Sequence, residues 1–218
     1  MIETLRALPK WLEAATVVAV AFGLFIYSST YEAFEPSSTA YAAGDLVFLA
    51  QFEIVVGTLL LAFLFVRGWR LDDLGIQAPQ WSDALHALFL VLALIAVSSI
   101  LLAVSGASSG PNQITFNQDG LFFGTGVLFS LVNAAYEEVF VCAYMVAASR
   151  PLGLAPALFL STALRLSYHT YQDAISLFLI VSLGLVFAWY FAKRGRLFAL
   201  IAVHAVFDVL ALLPYMRL

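Results

Sequence analysis

Two carboxylates stand next to each other, Glu137 and Glu138, inside an apolar run that covers residues 121–148. In a helix buried in a bilayer, each ionised carboxylate costs several kcal/mol. Neighbouring side chains on a helix lie about 100° apart, so the two cannot both point at one atom. We therefore expect both to face the protein interior, one toward the chemistry and one toward a supporting partner. A buried ion pair, or a helix end near the membrane interface, is the purely structural alternative.

Two histidine-containing pairs follow later in the chain. Arg165 precedes His169 by four residues, and Asp208 follows His204 by four. Residues four apart share a helix face, so Asp208 can orient or hydrogen-bond His204. A single histidine in a membrane helix is more often packed or interfacial. Because ionisable groups within a bilayer are functional by default and need partners, we predict that both pairs converge with the two glutamates.

Carboxylates and imidazoles together are groups that hydrolysis needs. A carboxylate can take a proton from water, and a neutral histidine can share that water or donate a proton to a leaving amine. A further donor can stabilise the oxyanion that forms. The sequence therefore favours hydrolysis, with a peptide bond as the expected target.

The composition indicates where such a site would lie. Of 218 residues, 63% are hydrophobic and 11% are charged, whereas soluble domains carry about 25% charged residues. We predict an integral membrane protein of the all-α class, a polytopic helical bundle. No basic patch interleaves with aromatic residues, so nucleic acid is not an expected partner. The expected partners are the lipid bilayer and a membrane-associated protein or peptide substrate.

Apolar runs predict about seven transmembrane helices, with the catalytic core in the last four. The runs cover residues 11–27, 46–66, 84–104, 121–148, from about 155 toward 169, 173–191 and 197–213. No internal repeat or soluble domain interrupts them, so residues 1–218 are predicted to form a single membrane domain. Within it, residues 1–66 supply two N-terminal spans and residues 67–218 supply the core. Glu53, inside the second span, is either functional or interfacial.

Basic residues predict the orientation, because Lys and Arg concentrate on the cytoplasmic side of membrane proteins. With a cytoplasmic N-terminus, eight of the ten basic residues fall on that side, and only Arg165 and Arg217 do not. The eight are Arg6, Lys10, Arg67, Arg70, Arg150, Lys193, Arg194 and Arg196.

The ordered motifs resemble the CPBP family, which comprises type II CAAX prenyl proteases and bacteriocin-processing membrane proteins. The resemblance rests on Glu137-Glu138, the helix leading to His169, and His204 with Asp208 inside residues 197–208. The connector at residues 70–76 (Arg-Leu-Asp-Asp-Leu-Gly-Ile) is also similar to a segment that precedes the family core, so the resemblance covers roughly residues 67–213.

The resemblance implies an intramembrane glutamic-type endopeptidase with a conical cavity among the last four helices. By that resemblance, Glu137 or Glu138 together with His169 activates water, and His204 with Asp208 forms the oxyanion side. No cofactor is expected. The expected location is the inner (plasma) membrane of a prokaryote. The substrate would be a C-terminal sorting tail, a prenylated protein or a leader peptide.

Three positions depart from the family pattern. Cys142 stands where an arginine is usual, Arg165 where a phenylalanine is usual, and Asp208 where an asparagine is common. We hypothesise that Arg165 replaces the missing arginine and pairs with Glu137 or Glu138, because two desolvated carboxylates need a cation. The alternative is that Arg165 extends to the membrane surface. These departures suggest a divergent branch, such as members thought to process sorting tails.

Other functions fit parts of the pattern. A non-catalytic scaffold or chaperone would keep the fold with an altered site. A proton-coupled transporter could use a buried glutamate pair, but the chain lacks the repeats typical of transporters. Zinc could bind two histidines and carboxylates, although the histidines lack short ligand spacing.

The site residues are expected at different depths in the membrane if the helices stand upright. Counted from the cytoplasmic helix ends at about 1.5 Å per residue, Glu138 lies roughly 18 Å deep, His169 about 21 Å and His204 about 10 Å. Tilted helices must close this difference.

Overall fold

The computed structural model describes residues 5, 7–35, 42–105 and 121–217. Within these ranges the regular structure is helical, apart from one isolated β-bridge between Phe122 and Arg217. Arg6 and residues 106–120, which carry part of the predicted topology, lie outside the described ranges. The helices are α1 (Lys10–Phe34), α2 (Ala43–Val66), α3 (Trp81–Ser105), α4 (Phe123–Leu152), α5 (Leu154–Ser167), α6 (Ala174–Arg194) and α7 (Phe198–Leu212). The predicted all-α membrane bundle is confirmed.

Six of these helices are long and apolar enough to cross a membrane, and α5 is the exception. Its 14 residues rise only about 21 Å, whereas a hydrocarbon core is about 30 Å thick. The fifth predicted span is therefore a shorter helix that ends before His169. The sequence overestimated its length because no glycine or proline between Pro156 and His169 marks the end of the helix.

The longest span, α4, is not uniform along its length. It is α-helical over Phe123–Glu137, π-helical over Glu138–Tyr144 and α-helical again over Met145–Ser149, before a final turn at Arg150–Leu152. All seven π-helical residues are buried. π-Helical turns are rare and often occur at functional sites. In this chain the transition separates Glu137 from Glu138.

A stripe of buried residues on α2 faces the core. Its members recur at intervals of four and three, which keeps them on one helix face: Leu46, Ala50, Glu53, Gly57, Leu60 and Leu64. Gly57 lies directly against the ring of Tyr136, the residue before the glutamate pair, and a Cβ there would be 3.2 Å from its Cδ2 atom. The N-terminal spans therefore pack closely against the part of α4 that carries the glutamates.

Polar contacts join several helix ends at one end of the bundle. The buried Glu13 on α1 accepts hydrogen bonds from Arg67, just after α2, and from Trp69 (2.8 Å). Asp83 at the start of α3 pairs with Arg196, just after α6, at 2.6 Å. The ends of four helices thus share one side of the bundle, as the predicted topology requires. Which side faces the cytoplasm stays a prediction.

Candidate active site

Glu137 is the last residue of the first α-helical part of α4, and its side chain points into the bundle. Its Oε2 atom accepts hydrogen bonds from Arg165 Nη1 (3.1 Å) and from Tyr168 Oη (2.6 Å). The residue remains 7% exposed. Both hydrogen bonds described for Glu137 end on Oε2, so Oε1 is the oxygen left for other chemistry.

Glu138 opens the π-helical segment and is fully buried. Its Oε1 atom accepts a hydrogen bond from Arg165 Nη2 (2.6 Å) and lies 2.7 Å from His204 Nδ1. Its Oε2 atom has no hydrogen-bond partner among the described residues. The two adjacent glutamates therefore share one cation, and Glu138 also contacts His204 on α7.

Arg165 joins the two glutamates through separate guanidinium nitrogens. The residue is 3% exposed, and its guanidinium also lies over the ring of Phe187 at 5.8 Å. The predicted ion pair with the glutamates is confirmed, and the alternative in which Arg165 reaches the membrane surface is wrong. Burial of this arginine is tolerable because two carboxylates compensate its charge, whereas an unpaired buried charge is strongly destabilising.

His204 lies between two carboxylates, one at each ring nitrogen. Nδ1 faces Glu138, and Nε2 is 3.5 Å from Asp208 Oδ1, one turn along α7. Asp208 Oδ2 accepts a hydrogen bond from Asn133 Nδ2 (2.9 Å), so α4 and α7 are joined twice. A histidine with both nitrogens protonated would donate to both carboxylates. The depth difference expected between Glu138 and His204 for upright helices is absent in the folded chain.

His169 does not lie on α5, so the prediction that it shares a helix face with Arg165 is wrong. The helix ends at Ser167, Tyr168 leaves helical geometry, and the backbone N–H of His169 donates to Leu166 O in a tighter turn. The ring of His169 packs against Tyr168 at 4.6 Å, and Nδ1 lies 3.3 Å from Gln172 Nε2.

Among the described residues, no hydrogen bond joins His169 to either glutamate. It interacts electrostatically with Arg165 and His204, which places it beside the cluster rather than within it. Cys142 lies in the π-helical segment, 1% exposed, within electrostatic reach of Glu138 and Arg165. The chemical roles predicted for His169 and Cys142 stay predictions.

Three residues of the cluster were missed or left open by the sequence analysis. Asn133 precedes Glu137 by one helical turn, and this spacing was a usable signal. Tyr168 carried no signal, because its contact with Glu137 depends on where α5 ends. Glu53, left as functional or interfacial, is buried and interacts electrostatically with Glu137, His204 and Asp208.

No group of three or more His, Cys, Asp and Glu side chains in the described ranges is arranged to hold a metal ion. His204 lies beside Glu138 and Asp208, but Arg165 occupies the same Glu138 oxygen that faces His204. The absence of a cofactor stays a prediction.

Comparison with known families places this cluster in context. Residues 119–210 match the model of the type II CAAX prenyl endopeptidase Rce1-like family. Over this segment, which is less than half of the chain, the protein is similar to the Rce1-like family. No curated protein and no solved structure gives a significant match. The Rce1-like segment contains both glutamates, Arg165, both site histidines and Asp208, but not Glu53. At the level of the family, it supports a CAAX-protease-type intramembrane peptidase.

Proposed function

We propose that this protein is an intramembrane endopeptidase that hydrolyses a peptide bond, close to the membrane, in a protein or peptide substrate. The observation that carries the proposal is the buried cluster in which Arg165 bridges Glu137 and Glu138 while His204 contacts Glu138. Such a cluster combines a base, a fixed cation and a hydrogen-bond donor within one water-poor site, which is what amide hydrolysis requires.

Glu137 is the proposed base that activates water. Of the two glutamates it is the more accessible, and its described hydrogen bonds leave Oε1 free to accept a proton. Arg165 and Tyr168 fix the carboxylate through Oε2, so that Oε1 has a defined direction. His169, which lies beside Tyr168, is proposed to share the attacking water, as the family resemblance implies.

Glu138 is proposed to position other groups rather than to react. It is fully buried, and its Oε1 holds both Arg165 and His204. His204, held between Glu138 and Asp208, then acts on the oxyanion side, where a proton on the ring can stabilise developing negative charge. Asn133 fixes Asp208 and thereby the second face of the imidazole.

The test is substrate capture with Glu137→Gln in cells, followed by mapping of the termini of whatever accumulates uncleaved. Loss of a general base costs about 10²–10⁴-fold in rate, so the variant should accumulate substrate while inserting and folding normally. The identity of the captured chain decides among a sorting tail, a prenylated protein and a leader peptide.

Glu138→Gln and Glu35→Gln are the matched comparisons. Glu138→Gln should also lose processing, because it removes the negative charge that holds Arg165 and His204. Glu35 is exposed and lies outside the cluster, so Glu35→Gln should behave like wild type. Wild-type turnover in both site variants would exclude the glutamate mechanism.

A non-catalytic scaffold or chaperone is the second candidate. The observation that favours it is that Arg165 pairs with both glutamates, an arrangement that also suits a purely structural buried ion-pair network. A scaffold predicts that Glu137→Gln keeps its binding partner and its cellular phenotype, with no uncleaved species accumulating. An endopeptidase predicts the opposite result in the same experiment.

A further inference from the structure

Glu53 lies in the middle of the buried stripe on α2, one turn before Gly57. The residue is 3% exposed, so its side chain is almost entirely enclosed by the protein. Gly57 allows α2 to approach α4 closely at Tyr136, next to the glutamate pair. The side chain of Glu53 is therefore enclosed on the side of the bundle that contains the candidate site.

The surroundings of Glu53 differ from those of the other buried carboxylates. Among the described residues, the others that are buried each pair with an arginine: Glu13 with Arg67, Asp83 with Arg196, and Glu137 and Glu138 with Arg165. Glu53 pairs with no cation in the described ranges, and its Oε2 atom has no hydrogen-bond partner there. Of the five buried carboxylates in the described ranges, four therefore have an arginine as counter-ion and Glu53 has none.

The charged and titratable groups that face Glu53 come from two helices. Glu137 and Tyr136 lie on α4, and His204 and Asp208 lie on α7. Three of these four are acidic groups, and the only base, His204, is already held between Glu138 and Asp208. An ionised carboxylate buried without a partner is far more costly than a neutral acid, so such a group takes up a proton instead.

We propose that Glu53 is a proton-holding residue of the site, a carboxylic acid that stays neutral beside Glu137, His204 and Asp208 and so limits the negative charge the site carries. It reacts with no substrate and acts through its neighbours, which makes it a positioning residue. Because Glu53 lies outside residues 119–210, the N-terminal part of the chain supplies more than a membrane anchor.

Infrared difference spectroscopy tests the protonation state directly. Purified protein in lipid vesicles is measured at neutral pH as wild type, Glu53→Gln and Glu35→Gln. The wild-type minus Glu53→Gln spectrum should contain a carboxylic-acid C=O band, because a neutral acid has been removed. The wild-type minus Glu35→Gln spectrum should contain carboxylate bands, because Glu35 is exposed. A carboxylate band for Glu53 would overturn the proposal, and Glu53→Leu provides a second neutral variant if the glutamine variant does not fold.

Coupling to the site is tested by raising the pH until the Glu53 acid band disappears. If Glu53 stays neutral partly because of the charge on Glu137, then Glu137→Gln should make the band disappear at a lower pH. An unchanged titration in that variant would show that Glu53 is isolated from the site. Both measurements use the protein alone, so they remain informative even if no peptide substrate is ever cleaved.

Activity gives a third readout if the proposed endopeptidase function holds. Glutamine is a neutral substitute for the protonated acid, so Glu53→Gln should keep turnover within about tenfold of wild type, far from the about 10²–10⁴-fold loss expected for a general base. In the wild-type protein, ionisation of Glu53 at alkaline pH should contribute to the fall in turnover. This contribution should be absent from the pH profile of Glu53→Gln. A Glu53→Gln profile superimposable on wild type would contradict the proposal.

Discussion

Arg165 donates to both glutamates, and each hydrogen bond uses a different guanidinium nitrogen. A lysine carries one compact ammonium group and cannot reproduce this fork. We therefore expect Arg165→Lys to be partly active and Arg165→Leu to be inactive, since the leucine leaves two buried carboxylates without their cation. Turnover is measured beside the reactivity of the buried Cys142 thiol, which reports whether each variant is folded.

The stronger form of this prediction is a rescue at the same two positions. Cys142 lies within electrostatic reach of both Glu138 and Arg165, so an arginine at 142 would lie near the glutamate that Arg165 pairs with. The double variant Cys142→Arg, Arg165→Phe should recover activity that Arg165→Phe alone loses. Full activity of Arg165→Phe alone would mean that the cation is not needed.

Asp208 serves as an acceptor in both contacts described for it, from Asn133 and toward His204 Nε2. An asparagine at 208 could accept only one of them. Losing one charge-assisted hydrogen bond, about 1.5–3 kcal/mol, predicts a fall in turnover of at least about tenfold for Asp208→Asn. Near-normal turnover would instead mean that Asp208 donates to the substrate as an asparagine would. The comparison variant Asn133→Ala removes the other contact and should lower turnover in the same direction.

The acidic and histidine members of the cluster could be read from the sequence because charge is rare in an apolar chain and each such residue needs a partner. The contact of Arg165 with the glutamates followed from the same argument. Tyr168 and the position of His169 could not be read, since both depend on α5 ending at Ser167 rather than one turn later. An apolar pattern does not encode that endpoint.

At the scale of helices, the π-helical segment was also beyond the sequence. Residues 138–144 are buried on every side, so their apolar pattern is the same for either kind of helix. The two kinds of helix differ in the spacing of their backbone hydrogen bonds. Within this segment, Ser161 Oγ on α5 donates to Val141 O (2.7 Å). The change of geometry begins between the two glutamates, of which Glu137 contacts Tyr168 and Glu138 contacts His204 on α7.

The contact between α2 and α4 gives a prediction for a single glycine. A Cβ at Gly57 would lie 3.2 Å from the Tyr136 ring, so Gly57→Leu would wedge the two helices apart. Overpacking of this kind costs about 1–3 kcal/mol, and the shift should reach the glutamates that follow Tyr136. We expect a lower unfolding temperature, measured through exposure of the Cys142 thiol, together with lower turnover.

Gly23 provides the matched control for that substitution. It lies within α1, and an added Cβ there would meet nothing within 4 Å. Gly23→Leu should therefore have the unfolding temperature and the turnover of the wild-type protein. Equal destabilisation by both substitutions would indicate a general effect of replacing helical glycines rather than a wedge at the site.

At the scale of the whole bundle, the N-terminal spans help to build the site. Phe22 on α1 stacks on Tyr168 at 5.0 Å and contacts Tyr136 at 5.6 Å, and Tyr136 Oη donates to Ala21 O. The sequence predicted the spans and their order from apolar length alone. It could not predict that α1 supports Tyr168, because contacts between distant aromatic residues leave no periodic signal.

The orientation of the bundle gives the last prediction. Glu13, Arg67, Asp83 and Arg196 meet at one end, and Arg217 lies at the other, where its backbone pairs with residues 121 and 123 at the start of α4. The basic residues favour a cytoplasmic location for the first end. The only native cysteine, Cys142, is buried, so Asp72→Cys and Arg217→Cys can each be labelled selectively. In intact cells a membrane-impermeant thiol reagent should label the cysteine at 217, and the cysteine at 72 only after permeabilisation. The reverse pattern would place the N-terminus outside the cytoplasm. In that case the buried ion pairs, rather than the membrane potential and the lipids, would explain why the basic residues cluster at one end.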